Sequence, residues 1–167
     1  MSGGTADRTN AMRRLEACGA SYTPLTVPLS GAAAVSAVEA ARLLQRGTDE
    51  VFKTLVTVGR SREHYVFVVP GGRELDLRKA ARAVGEKSVE MVRSKELLPL
   101  TGYVHGGCSP VGMKKTFRTV VDASAEGLAT IIVSAGKIGR MMELSLEDLR
   151  RRSEEHTSEL QSRSAIS

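Results

Sequence analysis

Apolar positions along the chain switch repeatedly between strand spacing and helix spacing. The strongest strand patterns are Val51-Phe-Lys-Thr-Leu-Val-Thr-Val58 and His64-Tyr-Val-Phe-Val-Val69. The polar turn Gly59-Arg-Ser-Arg62 joins them, which predicts a hairpin over 51–69. Shorter strands are predicted at 89–92, 119–122, 130–134 and 141–144, and 22–29, with two prolines, reads as an edge strand or extended loop. Helix spacing appears in four places. Thr9 or Asn10 caps a run through Ala11, Met12, Leu15 and Cys18 that stops at Gly19. Ser36 and Glu39 have capping-box spacing before Ala37, Ala41 and Leu44. Asp76 precedes Leu77, Ala80, Ala81 and Val84, stopped by Gly85, and Ser145 with Asp148 opens a last helix over 146–151. Ser94 caps one short helical turn ahead of Pro99. Strands and helices mix without strict βαβ alternation, so the predicted class is α+β around a mixed sheet.

The 167 residues fit one domain. Residues 152–167 have no apolar periodicity, and Arg152-Ser-Glu-Glu-His-Thr-Ser-Glu-Leu-Gln-Ser162 resembles the translation of a sequencing-adapter oligonucleotide. The expected organisation is therefore one domain over 1–151, its C-terminal helix cut short, and an artefactual, disordered tail over 152–167. Net charge is +5, and +6 without the tail's two arginines and three glutamates. That balance is compatible with a nucleic-acid partner without requiring one. Two cysteines and three scattered histidines give neither a disulfide framework nor a metal-ligand spacing, and no cofactor motif is read. The polar N-terminus lacks a signal core and no apolar run approaches the ~20 residues of a membrane span, so a cytoplasmic protein is expected.

Candidate chemistry centres on Thr101-Gly-Tyr-Val-His-Gly-Gly-Cys-Ser-Pro-Val-Gly-Met-Lys-Lys115, which packs four glycines, a proline and two lysines into fifteen residues. Glycine lets backbone N–H groups approach a ligand closely, so the loop suits an anionic or carbonyl-bearing group, with Lys114 and Lys115 behind it. It is not a phosphate-binding P-loop, because the Lys-Ser/Thr step is missing. Taken alone it is also an ordinary glycine-rich turn. Lys53 stands between Val51 and Leu55 on one face of an apolar strand. A lysine there either snorkels out at an edge or lines a cavity and meets an anion. Cys108 and His105 are spaced as a nucleophile and a base, yet Cys108 is equally a small residue in a tight turn, and no third orienting group is visible. Lys137, in the second glycine turn Ser134-Ala-Gly-Lys-Ile-Gly139, either meets a phosphate or points to solvent.

Several stretches together resemble one family. Val51-Phe-Lys-Thr-Leu55, Leu75-Asp-Leu-Arg-Lys-Ala80, Gly85-Glu-Lys-Ser-Val-Glu-Met91, Thr101-Gly-Tyr103, Gly106-Gly-Cys-Ser-Pro-Val-Gly-Met-Lys-Lys115, Val133-Ser-Ala-Gly-Lys137 and Glu143-Leu144 are similar, in order and spacing, to the YbaK/EbsC family. These are Cys-tRNA(Pro) deacylases related to the editing domain of bacterial prolyl-tRNA synthetases. The resemblance covers about Asn10 to Arg151. It implies a partly barrel-like central sheet and hydrolysis of the ester joining a wrong amino acid to the 3′ end of tRNA(Pro). Prolyl-tRNA synthetase is then a second candidate partner. The family's essential lysine matches Lys53 and its Gly-x-x-x-Pro loop matches Gly106 to Pro110. By this resemblance Lys53 and the loop Gly106, Gly107, Cys108, Ser109 and Pro110 form the catalytic set. Lys53 would position the terminal adenosine and its phosphate, and the amides of Gly107 and Cys108 would hold the substrate amine and carbonyl or the developing oxyanion. Thr54, Lys114, Lys115, Ser134, Gly136 and Lys137 would bind substrate. In Cys-tRNA deacylases the substrate's own thiol attacks its ester carbonyl, so no protein nucleophile is needed. Two positions depart from the pattern: Val27 where some members have tyrosine, and Met141 where some have an acidic residue.

Overall fold

The structure is a computed structural model that describes residues 8–29, 34–152, 160–164 and 166–167. Strand β1 is Thr23–Thr26, β2 Phe52–Gly59, β3 His64–Pro70, β4 Val89–Met91, β5 Arg118–Asp122, β6 Ile131–Lys137, β7 Arg140–Leu144 and β8 Leu160–Ser164. The helices are α1 Asn10–Ala17, α2 Ala37–Leu44, α3 Leu77–Val84, α4 Ser94–Thr101 and α5 Leu146–Arg150. The mixed α+β class is as expected. In place of one partly closed sheet, however, there are two: a three-stranded sheet in the order β1-β7-β6 and a five-stranded sheet in the order β4-β2-β3-β5-β8. A parallel bridge between Val51 and Ile132 joins them, with Ile132 N–H donating to the Glu50 carbonyl at 2.9 Å.

Local chemistry explains the elements. Thr9, Ser36, Asp76 and Ser145 each accept a backbone N–H of the following helix, satisfying donors that the first turn leaves free. Strand β3 is apolar from Tyr65 to Pro70 because both of its faces are covered. Phe67 and Val69 pack with Ala80, Ala81 and Val84 of α3. Val66 and Val68 pack with Phe52, Val56, Val121, Val133 and Met142 in the main core. That core also holds Cys108 and Tyr103, so the glycine loop is seated in it.

Two local expectations are corrected. Pro99 does not limit α4 to a single turn: the helix runs eight residues through Pro99 to Thr101. Proline removes one hydrogen bond, and the turn after it is closed by Gly102 N–H to the Leu98 carbonyl and Thr101 Oγ1 to the Leu97 carbonyl, both 2.8 Å. The second concerns the tail. Leu160–Ser164 pairs in parallel with β5, Ile166 is fully buried, and its N–H donates to Asp122 Oδ1 at 3.0 Å. Part of the segment read as a disordered tail thus lies against the sheet; the rest of 153–167 is outside the described residues.

Candidate active site

The short length of β4 creates the site. It pairs with β2 only at Thr57, Val58 and Gly59, and one further bond, Val92 N–H to the Val56 carbonyl at 3.1 Å, extends the contact. The first half of β2 therefore has β3 on one side and an open edge on the other. In an antiparallel strand a residue's N–H and C=O point to the same side, and alternate residues point alike. Val56 faces the β4 side, so the N–H and C=O of Thr54 face the open edge. A cavity of about 320 Å³ lies there. Its walls are β2 residues Phe52 to Val56, the start of α2 at Ser36, Ala37 and Ala40, the β4–α4 junction, and the glycine loop at His105, Gly106 and Cys108. Val27 and Met141, the two departures from the family pattern, also line it.

Of the residues singled out in the sequence, Lys53, Thr54, Gly106, Cys108 and Ser134 meet at this cavity. Among the described residues the buried Thr54 Oγ1 has no hydrogen-bond partner, a costly state for a hydroxyl unless a ligand supplies one. None of the described lining residues is acidic, so the charge of Lys53 is not neutralised within the cavity.

The glycine loop is held from behind. Lys114 N–H donates to the Thr101 carbonyl at 3.0 Å and closes the loop at its base. Tyr103 Oη donates to the Val111 carbonyl at 2.6 Å and accepts from Asn10 Nδ2 at 3.3 Å. Gly106 has φ +87°, and a Cβ there would lie 2.4 Å from the Ala34 Cβ, so only glycine fits. A Cβ on Gly107 would lie 3.0 Å from Ile138 N, which lets the two glycine turns pack together.

Other expected roles change. The Gly107 amide cannot hold a carbonyl or oxyanion in this arrangement, because it donates to the Val104 carbonyl at 2.9 Å and closes the turn. The Cys108 amide has no acceptor among the described residues. Ser109 is fully buried and its Oγ accepts from Val111 N–H at 3.2 Å. Ser109 and Pro110 lie behind the cavity wall; Pro110, with Lys115, lines a small separate pocket beside Arg14 and Arg152. Lys114 and Lys137 are exposed and do not line the cavity, and Gly136 (φ +101°) sits at an irregularity near the end of β6, against the Tyr103 ring.

Cys108 is 8 % exposed, and burial pushes its thiol up to about 11, against a partly offsetting hydrogen bond with Thr101. At neutral pH it is a thiol rather than a thiolate, and thus a weak nucleophile. The β4–α4 junction is the wall that sequence reasoning missed: Met91, Val92, Arg93, Ser94 and Leu97 all line the cavity. The signal was the register of β4 on β2, which pairing alone reveals.

Comparison with known proteins finds relatives in sequence and in fold. A relative from Enterococcus faecalis (strain ATCC 700802 / V583), provisionally named Cys-tRNA(Pro)/Cys-tRNA(Cys) deacylase EbsC, is 46% identical over 143 residues, covering 86% of this chain and 87% of the relative. A proline--tRNA ligase from Pelobacter propionicus (strain DSM 2379 / NBRC 103807 / OttBd1) is 28% identical over 102 residues, which span 61% of this chain and 18% of the ligase. The crystal structure of a hypothetical protein, APE2540, matches with a TM-score of 0.79 at 24% identity, over 92% of this chain and 97% of that one. That of a provisionally described trans-editing enzyme for prolyl tRNA synthetase matches with a TM-score of 0.75 at 26% identity, over 93% and 96%. The model of the aminoacyl-tRNA editing domain matches residues 32–152, a span that carries Lys53, the glycine loop and the second glycine turn, and the chain belongs to that family.

Proposed function

We propose that this protein is a trans-editing deacylase that hydrolyses the ester of mischarged aminoacyl-tRNA, with Cys-tRNA(Pro) as the foremost substrate. The observation that carries the reading is the cavity on the open edge of β2. Among the described residues it holds a Lys53 with no acidic neighbour in the lining, a buried Thr54 hydroxyl without a partner and a loop amide without an acceptor, but no activated nucleophile. Such a site binds and orients an anionic ester better than it attacks one.

The chemistry then comes from the substrate. The thiol sulfur of the cysteinyl group bonds to its own ester carbonyl carbon. The bond from that carbon to the ribose oxygen breaks, and the thiol proton ends on the departing oxygen. Water opens the resulting four-membered thiolactone to free cysteine. Lys53 holds the phosphate next to the terminal adenosine, the Cys108 amide donates to the developing oxyanion, and Thr54 bonds the aminoacyl group. The apolar walls, including Val27 and Met141, enclose a small side chain.

Residues up to Arg152, where the family match ends, constitute the editing unit, and the protein works in the cytoplasm beside prolyl-tRNA synthetase. The test is deacylation of tRNA(Pro) charged separately with Cys, Ala, Ser and Pro. Fast loss of Cys with Pro retained supports the reading; no loss of any of them overturns it.

A further inference from the structure

We propose that Arg93 is a second phosphate ligand of the cavity, paired with Lys53 across its mouth, so that the site grips a phosphodiester of the substrate's 3′ end with two cations. The inference rests on the cavity being the aminoacyl-tRNA site. Register places the two side chains together. Thr57 pairs with Met91 and Val58 with Glu90, and the Val92–Val56 bond carries the same register one step further. Arg93, still extended at φ −71° and ψ 150°, then falls opposite Leu55. Residues directly opposite share a face, and Lys53 shares the face of Leu55. Two residues along a strand is ~7 Å and one strand across is ~5 Å, so the two Cα atoms lie roughly 8 Å apart. Lys53, Leu55 and Arg93 all line the cavity.

The surroundings leave the Arg93 guanidinium available. Its side chain makes no ion pair among the described residues. The nearest carboxylate in sequence, Glu96, is turned into the helix: its Oε1 accepts the Arg93 backbone N–H at 3.1 Å, and its own N–H donates to the Arg93 carbonyl at 2.9 Å. Glu96 does not line the cavity. Arg93 is the residue at the N-cap of α4, so the positive end of that helix's dipole lies at the same wall of the cavity and adds to the positive potential there. An arginine fork and a lysine point charge on one face suit a diester, whose oxygens accept from both.

The test is binding of the trinucleotide CCA and of adenosine by wild type, Arg93→Ala and Arg93→Lys, at low and moderate salt, alongside deacylation of Cys-tRNA(Pro). Arg93→Ala should bind CCA about tenfold more weakly, as expected for one lost charged hydrogen bond. Its slope of log affinity against log salt should be shallower by about 0.7, the value per phosphate contact on a single strand. Adenosine binding should be unchanged, and Arg93→Lys should keep the wild-type salt slope. In deacylation KM should rise while the saturating single-turnover rate holds. Equal CCA affinity for wild type and Arg93→Ala overturns the clamp, as does an equal loss for adenosine. If wild type deacylates and Arg93→Ala binds and reacts identically, the clamp fails and the deacylase reading stands. If CCA binding depends on Arg93 but no charged tRNA is hydrolysed, the clamp stands and the deacylase reading fails.

Discussion

Replacing Arg46 by alanine should loosen the cavity in a pH-dependent way. Arg46 follows α2, whose first residues line the cavity, and grips β7, whose Met141 lines the other side. Its two terminal nitrogens bond Glu143 Oε1 at 3.1 Å and Oε2 at 2.7 Å, and Nε bonds Glu50 Oε1 at 2.9 Å. Thr130 Oγ1 donates to the same Glu143 carboxylate at 2.5 Å. The Arg46 and Glu143 side chains are 32 % and 19 % exposed, between the surface and buried limits. Surface pairs contribute 0–1 kcal/mol and breaking a buried pair costs 3–5. An intermediate loss of about 2 kcal/mol lowers Tm by about 4–8 °C in a domain of this size. The hydrogen bonds from Arg46 and then from Thr130 hold the Glu143 carboxyl below its ordinary value of 4.5. A depressed carboxylate contributes its stability fully above the unfolded value and loses it as pH falls through the folded one. Thermal melts of both proteins should therefore differ at pH 7 and converge as pH drops below the ordinary glutamate range. A Tm difference that persists unchanged in acid, or is absent at pH 7, would refute the network's role.

Two further perturbations follow from the site. Gly106→Ala forces a side chain into φ +87° and to within 2.4 Å of the Ala34 Cβ, so the loop must move. Single-turnover deacylation should fall at least tenfold, a barrier of ~1.4 kcal/mol or more, and an unchanged rate would show that the loop does not hold the reacting group. Removing residues 153–167 should leave the deacylation rate unchanged, because no described tail residue lines the cavity; a lost rate would place the tail in the site.

Most elements were legible because they carried a local signal; β8 and the run of α4 past Pro99 were not. Ser36 with Glu39 and Asp76 before Leu77 marked helix starts that the structure keeps to the residue, and the apolar run of 64–69 marked a strand covered on both faces. The division into two sheets was not legible, since it depends on one bridge between Val51 and Ile132, distant in sequence. Lys53 was legible as a lysine in an apolar strand. Arg93 was not, because only the register of a three-residue strand brings it to the same face. Glycine count flagged the loop but could not say which amides are spent: Gly107 closes a turn, and Ser109 caps the next bend instead of facing the ligand.

In the proposed mechanism the protein orients the ester and the substrate supplies the nucleophile. Its most direct test is the single-turnover rate of wild type, Cys108→Ser and Lys53→Ala on the same Cys-tRNA(Pro). Serine keeps the size at a position only 8 % exposed and leaves the backbone amide in place. Cys108→Ser should retain most of the rate. Lys53→Ala, which breaks no ion pair among the described residues and stays folded, should lose at least tenfold, ~1.4 kcal/mol of barrier or more. A dead serine variant beside an active lysine variant would contradict this mechanism and make Cys108 the nucleophile.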